Sequence, residues 1–159
     1  MAKTTFSGPI VSKNGEFTMG TQAEACPIIA APTTMVPETH AGKTLLISDT
    51  DTVITLPTIT ATTIGAKYRF ALLSASTGMT FVTDGTDLFY GALNTSVSTA
   101  ATAKDWYPNG SSNDTITLDG TTKGGLVNSV LEIEAVSTGA YLVSGGLKGS
   151  GTLATPFSG

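Results

Sequence analysis

One unit of local grammar repeats along most of this chain: a short run of alternating apolar and polar residues, closed by a turn built on Gly, Asp or Pro. In Val53-Ile54-Thr55-Leu56, Val53 and Thr55 alternate with Ile54 and Leu56, and Pro57 closes the run. Lys67 to Leu73 sets Tyr68, Phe70 and Leu72 on one face. Met79 to Thr83 stops at Asp84-Gly85-Thr86-Asp87, and Leu88-Phe89-Tyr90 stops at Gly91. A period of two sends one set of side chains into a core and the other toward water, as in a strand. No helical period is sustained beyond about two turns. Short strands at this spacing, joined by Gly and Asp turns, predict an all-β chain: a β-sandwich or jelly-roll-like domain, or a small barrel.

The last third keeps the same pattern. Asp114 to Leu118 alternates Ile116 and Leu118 with Thr, and Asp119-Gly120 supplies the turn. Leu126 to Val136 reads as one long strand, with Leu131, Ile133 and Ala135 on one face and Glu132 and Glu134 on the other. Glutamates facing away from aliphatics mark a strand with one wet side. Ser137-Thr138-Gly139 then turns the chain into Ala140 to Ser144. Between these regions, Ala92 to Gly110 is rich in Ser, Thr and Ala and is expected to be a long surface loop carrying Trp106-Tyr107-Pro108.

The two ends differ from this middle. Gly8-Pro9, Asn14-Gly15 and Gly20 punctuate the start, and Pro27, Pro32 and Pro37 follow. Each proline disfavours helix at itself and at the residue before it, so residues 1–37 are expected to run as an extended N-terminal arm. Isolated apolar residues on such an arm suit draping across a neighbour, and Phe6, Ile10 and Phe17 are the candidate anchors. Residues 38–148 form the expected β-domain. Residues 149–159 form a Gly-rich C-terminal tail in which Phe157 is a further candidate anchor.

Composition limits what such a domain can do. The chain has 159 residues, enough for one domain with arms. Hydrophobic residues make up 40% and charged residues only 13%, the balance being Thr, Ser, Ala and Gly. A Thr-rich surface with few charges costs less to bury against another protein. The net charge of −4 and the scatter of the basic residues argue against nucleic-acid binding. A single cysteine, Cys26, excludes an intrachain disulfide framework. No stretch approaches the roughly 20 apolar residues of a membrane span. The first residues lack the apolar segment of a secretory leader, so synthesis in a cytoplasm is expected.

Catalytic and metal chemistry finds little footing. His40 is the sole histidine and reads as a surface or loop residue. Cys26 has no nearby base and reads as an inert thiol. Ala41-Gly42-Lys43-Thr44 echoes the end of a phosphate-binding loop, but Pro37 stands where the first glycine is required and a strand follows. Asp49/Asp51 and Asp84/Asp87 do not match a calcium loop, and aspartate is favoured in turns because its carboxylate bonds nearby backbone N–H groups. No catalytic residue, metal site or cofactor is expected, and the chain is read as non-enzymatic. The aromatic pair Trp106-Tyr107 on the polar stretch 92–110 is the candidate for surface recognition, the alternative being a ring folded back as a lid on the domain.

The stretches Val53-Ile54-Thr55-Leu56-Pro57, Ile64 to Phe70 and Val82-Thr83-Asp84-Gly85-Thr86-Asp87, with Gly91 after them, resemble a β-domain of tailed-phage virion proteins. The opening Thr5-Phe6-Ser7-Gly8-Pro9 with Asn14-Gly15 looks like the start of small proteins of marine and cyanobacterial phages. The closing Val143-Ser144-Gly145 and Gly151 to Phe157 look similar to the same set. This resemblance implies a capsid decoration (cement) protein, a β-rich homotrimer whose arms grip the major capsid protein on the virion exterior. Similar strand grammar occurs in head-fibre and tail-fibre modules. The alternative reading is therefore a receptor- or carbohydrate-binding module with Trp106 and Tyr107 in its site.

Overall fold

The computed structural model describes residues 11–12, 15–16, 26–97 and 99–159. Among the described residues, fifteen short strands and one helical turn follow in order. Strands β1 (Val11–Ser12) and β2 (Gly15–Glu16) come first, then β3 (Ile28–Ile29) and β4 (Thr33–Thr34). The turn α1 (Pro37–His40) leads to β5 (Thr44–Ile47), β6 (Val53–Thr55), β7 (Lys67–Leu72) and β8 (Met79–Val82). Next come β9 (Leu88–Gly91), β10 (Leu93–Val97), β11 (Thr102–Trp106) and β12 (Thr115–Leu118). Strands β13 (Val130–Ser137), β14 (Ala140–Lys148) and β15 (Phe157–Ser158) complete the chain. The expectation of an all-β protein holds.

Two sheets enclose one core. The large sheet runs β11-β10-β14-β13-β7-β5-β3, with β9 also pairing with β14, and the small sheet runs β15-β12-β8-β6-β4. Alternation drives the burial: in β7, Tyr68, Phe70 and Leu72 are buried while Lys67 and Arg69 are exposed. In β13, Leu131, Ile133 and Ala135 are buried. The Phe70 and Phe81 rings, one from each sheet, meet edge to face with centroids 4.9 Å apart. Each fully buried ring stabilises the fold by about 1.5–3 kcal/mol.

The first half is wound in a way that alternation does not reveal. From β3 to β8 the chain visits the large and small sheets in turn, so that neighbours within each sheet run parallel. Parallel pairing needs a crossover between partners, and here the crossover is a strand in the opposite sheet rather than a helix. After β8 the chain changes style, with antiparallel β10–β11 and β13–β14 hairpins in the large sheet.

Several expected boundaries move. Residues 28–35, assigned to the arm, are part of the sandwich: β3 and β4 edge the two sheets, and Ile29 and Met35 are buried. Prolines are tolerated there because an edge strand has N–H groups with no ladder partner to lose. Residues 11–16 contain the antiparallel β1–β2 pair rather than a continuously extended run. The segment from Ala92 to Gly110 is mostly the β10–β11 hairpin, not a loop. The long strand expected from Leu126 starts only at Val130, because Asn128 turns the backbone with φ of 66°. Residues 149–159 are no free tail: Gly149, Pro156 and Phe157 are buried, and β15 pairs with β12.

Candidate interaction surface

Phe6, Ile10 and Phe17 lie outside the described residues. Phe157 is corrected by the fold: only 5% exposed, it pairs beside Ile116 and joins the core, so its ring is committed to its own chain. Trp106 and Tyr107 part company at the end of β11. Trp106 packs against the core, and the Lys104 ammonium lies 4.5 Å from its ring centroid. Tyr107 points outward and is 69% exposed.

On the outer face of the large sheet, strand register lays out side chains in rows. One row runs Ile28, Leu46, Ala71, Val130, Gly146 and Asn94 across six strands. Its first four members are apolar; Ile28 is 64% exposed, and Leu73, just beyond β7, is 49% exposed. The next row sets Thr44, Arg69, Glu132 and Ser144 side by side. The third places Lys67, Glu134, Leu142 and Tyr90 together.

The charges in these rows largely neutralise one another. Lys67 Nζ lies 3.0 Å from Glu132 Oε1 and 3.3 Å from Glu134 Oε2. Hydrogen bonds to Glu132 and then Glu134 raise the Lys67 pKa above its ordinary value. Arg69 Nη1 donates to Thr44 Oγ1 at 3.4 Å. Exposed ion pairs of this kind add little to stability, but they lower the cost of covering the face with a partner. Leu142 and Tyr90 then add a second apolar corner, and Tyr90 Oη donates to the Gly110 carbonyl at 3.5 Å.

The acidic turns serve the backbone. Asp84 Oδ1 accepts hydrogen bonds from the Thr86 and Asp87 N–H groups and the Thr86 hydroxyl. Its carboxyl sits well below the usual range, held there by the Thr58 hydroxyl and then the Asp87 N–H. Asp87 is 3% exposed and accepts from Ile59 N at 2.8 Å and Gly139 N at 3.0 Å, tying two loops together. Asp49 Oδ1 accepts from Thr50 N. His40 Nδ1 accepts from Val36 N at 2.8 Å, closing the turn of α1. Among the described residues no group of three or more His, Cys, Asp or Glu side chains is placed to hold a metal ion. An open pocket of about 290 Å³ is lined by Ser96, Leu126, Val127, Lys148 and Gly149. It is at the small end for a ligand site.

Sequence reasoning singled out aromatic residues and missed this face, because its rows are assembled from strands far apart in the chain. The half-buried apolar residues that alternate with buried ones, such as Ala71 and Val130, were the available signal. Comparison with protein-family models, with curated proteins and with solved structures found no match.

Proposed function

We propose that this chain is a structural protein that decorates and stabilises the outer surface of a tailed-phage capsid. In this reading it acts as a homotrimer bound to the major capsid protein. The observation that carries the reading is the outer face of the large sheet, where an apolar row lies beside a charge cluster in which Lys67 is paired with Glu132 and Glu134. Such a face loses little by being covered and gains hydrophobic burial of about 25 cal/mol per Å². The N-terminal segment enters the sandwich at β3, at the Ile28 end of that row. Arm and face together span adjoining shell subunits, and closing several contacts at once produces avidity.

The test is a chain cut after Ala25, which leaves β3 and the sandwich intact. The cut chain is expected to keep its thermal midpoint and to wash off purified shells that the full chain decorates. Undiminished retention would contradict the role given to the arm. The fibre-module reading rests on Tyr107 as its exposed aromatic. A Tyr107→Ala chain that lost binding to host polysaccharide while still decorating shells would favour that reading.

A further inference from the structure

The segment from Ile28 to Met35 lends an edge strand to each sheet and holds on by little. Strand β3 pairs with β5 over two residues, and β4 pairs with β6 over two. Ile29 and Met35 are its buried side chains. Edges with so few buried contacts belong to the least stable parts of a fold. The junction that follows Met35 therefore matters, because there the segment joins the rest of the sandwich.

His40 clamps that junction by holding both main-chain groups of Val36. Val36 N donates to His40 Nδ1 at 2.8 Å, and His40 N donates to the Val36 carbonyl at 2.8 Å. Met35, one residue back, donates its N–H to the Thr55 carbonyl of β6 at 2.8 Å. A backbone N–H can only donate, so Nδ1 accepts with its lone pair and the bonded ring is the Nε2–H tautomer. An imidazolium carries a proton on both nitrogens and sets N–H against N–H at Val36. The bond is exposed, so a proton from solvent reaches the ring without any prior opening.

The charged groups around the turn are few. Glu38 shares α1 with His40, and its carboxylate acts on the Tyr68 hydroxyl of β7. Lys67, whose carbonyl accepts from Gly42 N just beyond the turn, is engaged by Glu132 and Glu134. Lys43 precedes β5, and Arg69 of β7 donates to the Thr44 hydroxyl. Strands β4 and β6 carry no charged side chain. Carboxylates, phenols and lysines ordinarily titrate outside the range of about pH 5–8, which leaves histidine as the group that takes up a proton there. We propose that the His40–Val36 clamp is an acid-sensitive latch. Protonation of His40 releases Val36 and loosens β4, and with it β3, from the edges of the two sheets. The latch needs the unprotonated ring, so its contribution is present above the histidine range and is lost as pH falls through it. The inference concerns the chain's own edges and stands whether or not a shell is the partner.

The test is amide hydrogen exchange of the full chain, followed by NMR at about pH 7.5 and about pH 5, each rate divided by the intrinsic rate at that pH. The reporters are Val36, Met35 and Ser48, whose N–H donates to the Ile29 carbonyl of β3. Their protection is expected to fall about fivefold at the lower pH, the factor set by losing one exposed hydrogen bond, while Ile133 in β13 stays constant. His40→Asn puts an oxygen that does not titrate in the place of Nδ1, and its protection is expected to be equal at both pH values. His40→Ala is expected to show the low protection at both. Unchanged protection in the unmodified chain would overturn the proposal. An equal fall in the His40→Asn chain would overturn it too, by assigning the effect to Glu38. Imidazole nitrogen shifts at the higher pH give an independent reading: the Nε2–H tautomer is expected, and the Nδ1–H tautomer would contradict the latch.

Discussion

Two hairpins of the large sheet flank the same neighbourhood and are built on opposite terms. In β13–β14, side chains alternate between core and solvent along most of both strands, and Leu131, Ile133, Tyr141 and Val143 are buried. Its turn uses Gly139 at φ of 84°, where a glycine is at ease. In β10–β11, Leu93, Thr95 and Val97 of the inner strand are buried, while β11 hangs clear of the body. Its turn places Ala101 at φ of 47°, a region that costs a residue with a Cβ about 1–2 kcal/mol. The first hairpin is held by the core, and the second is only half held. A strand retained without burial points to a role outside the chain's own fold.

Substitutions should separate the two. The largest effect is expected for Ile133→Ala, which empties a fully buried site and should cost about 2–5 kcal/mol in urea unfolding. Lys104→Ala on β11 should stay within about 0.5 kcal/mol in the same assay. Equal losses at both positions would erase the distinction. Next comes Asp87→Asn, which replaces one of two accepting oxygens with a donor facing either Ile59 N or Gly139 N. It should destabilise by about 1–3 kcal/mol and raise exchange at the β13–β14 turn without touching β11.

The two turns should answer oppositely to exchange of their residues. Gly139→Ala is expected to cost about 1 kcal/mol, whereas Ala101→Gly should be neutral or stabilising, read from thermal midpoints. The smallest effect concerns Tyr68, which lies beside Ile133 of β13 with its hydroxyl buried and unpartnered among the described residues. Burial, and then the Glu38 carboxylate, push its pKa up to about 12. Unfolded, the phenol ionises near 10. Its neutral-state preference therefore supports the fold fully below about pH 10 and is lost as pH rises toward about 12. Tyr68→Phe should leave stability at pH 7 unchanged or raised by up to about 1 kcal/mol and flatten the alkaline limb of a pH–stability curve. A loss at neutral pH would mean that the hydroxyl has a partner after all.

The contrast also separates what was legible in the sequence from what was not. Strands whose alternation reaches a core were readable: β7, β8, β12 and β13 lie within a few residues of their expected places. Strand β14 ran longer than expected because Gly145-Gly146 reads as a turn. In the fold Gly145 sits in the ladder where a Cβ would strike the Val130 carbonyl oxygen. Strands β10 and β11 were read as loop, since Thr, Ser and Ala carry almost no periodic signal. The place of β10 follows from main-chain pairing with β14, a partner some 50 residues away, and β11 pairs in turn with β10. The parallel winding from β3 to β8 was invisible for the same reason, being a property of long-range pairing. Of the candidate surface aromatics, Tyr107 is exposed and Trp106 packs against the core. Phe157 misled because a lone aromatic in a Gly-rich stretch looks unanchored until β15 finds β12.

A decorating role requires this chain to cover a shell in many copies. Its most direct test is the copy number of the chain in purified source particles, measured by quantitative mass spectrometry against the main shell protein. A ratio comparable to the shell protein, or a simple fraction of it, is the expected result. A few copies per particle, or none, would contradict it.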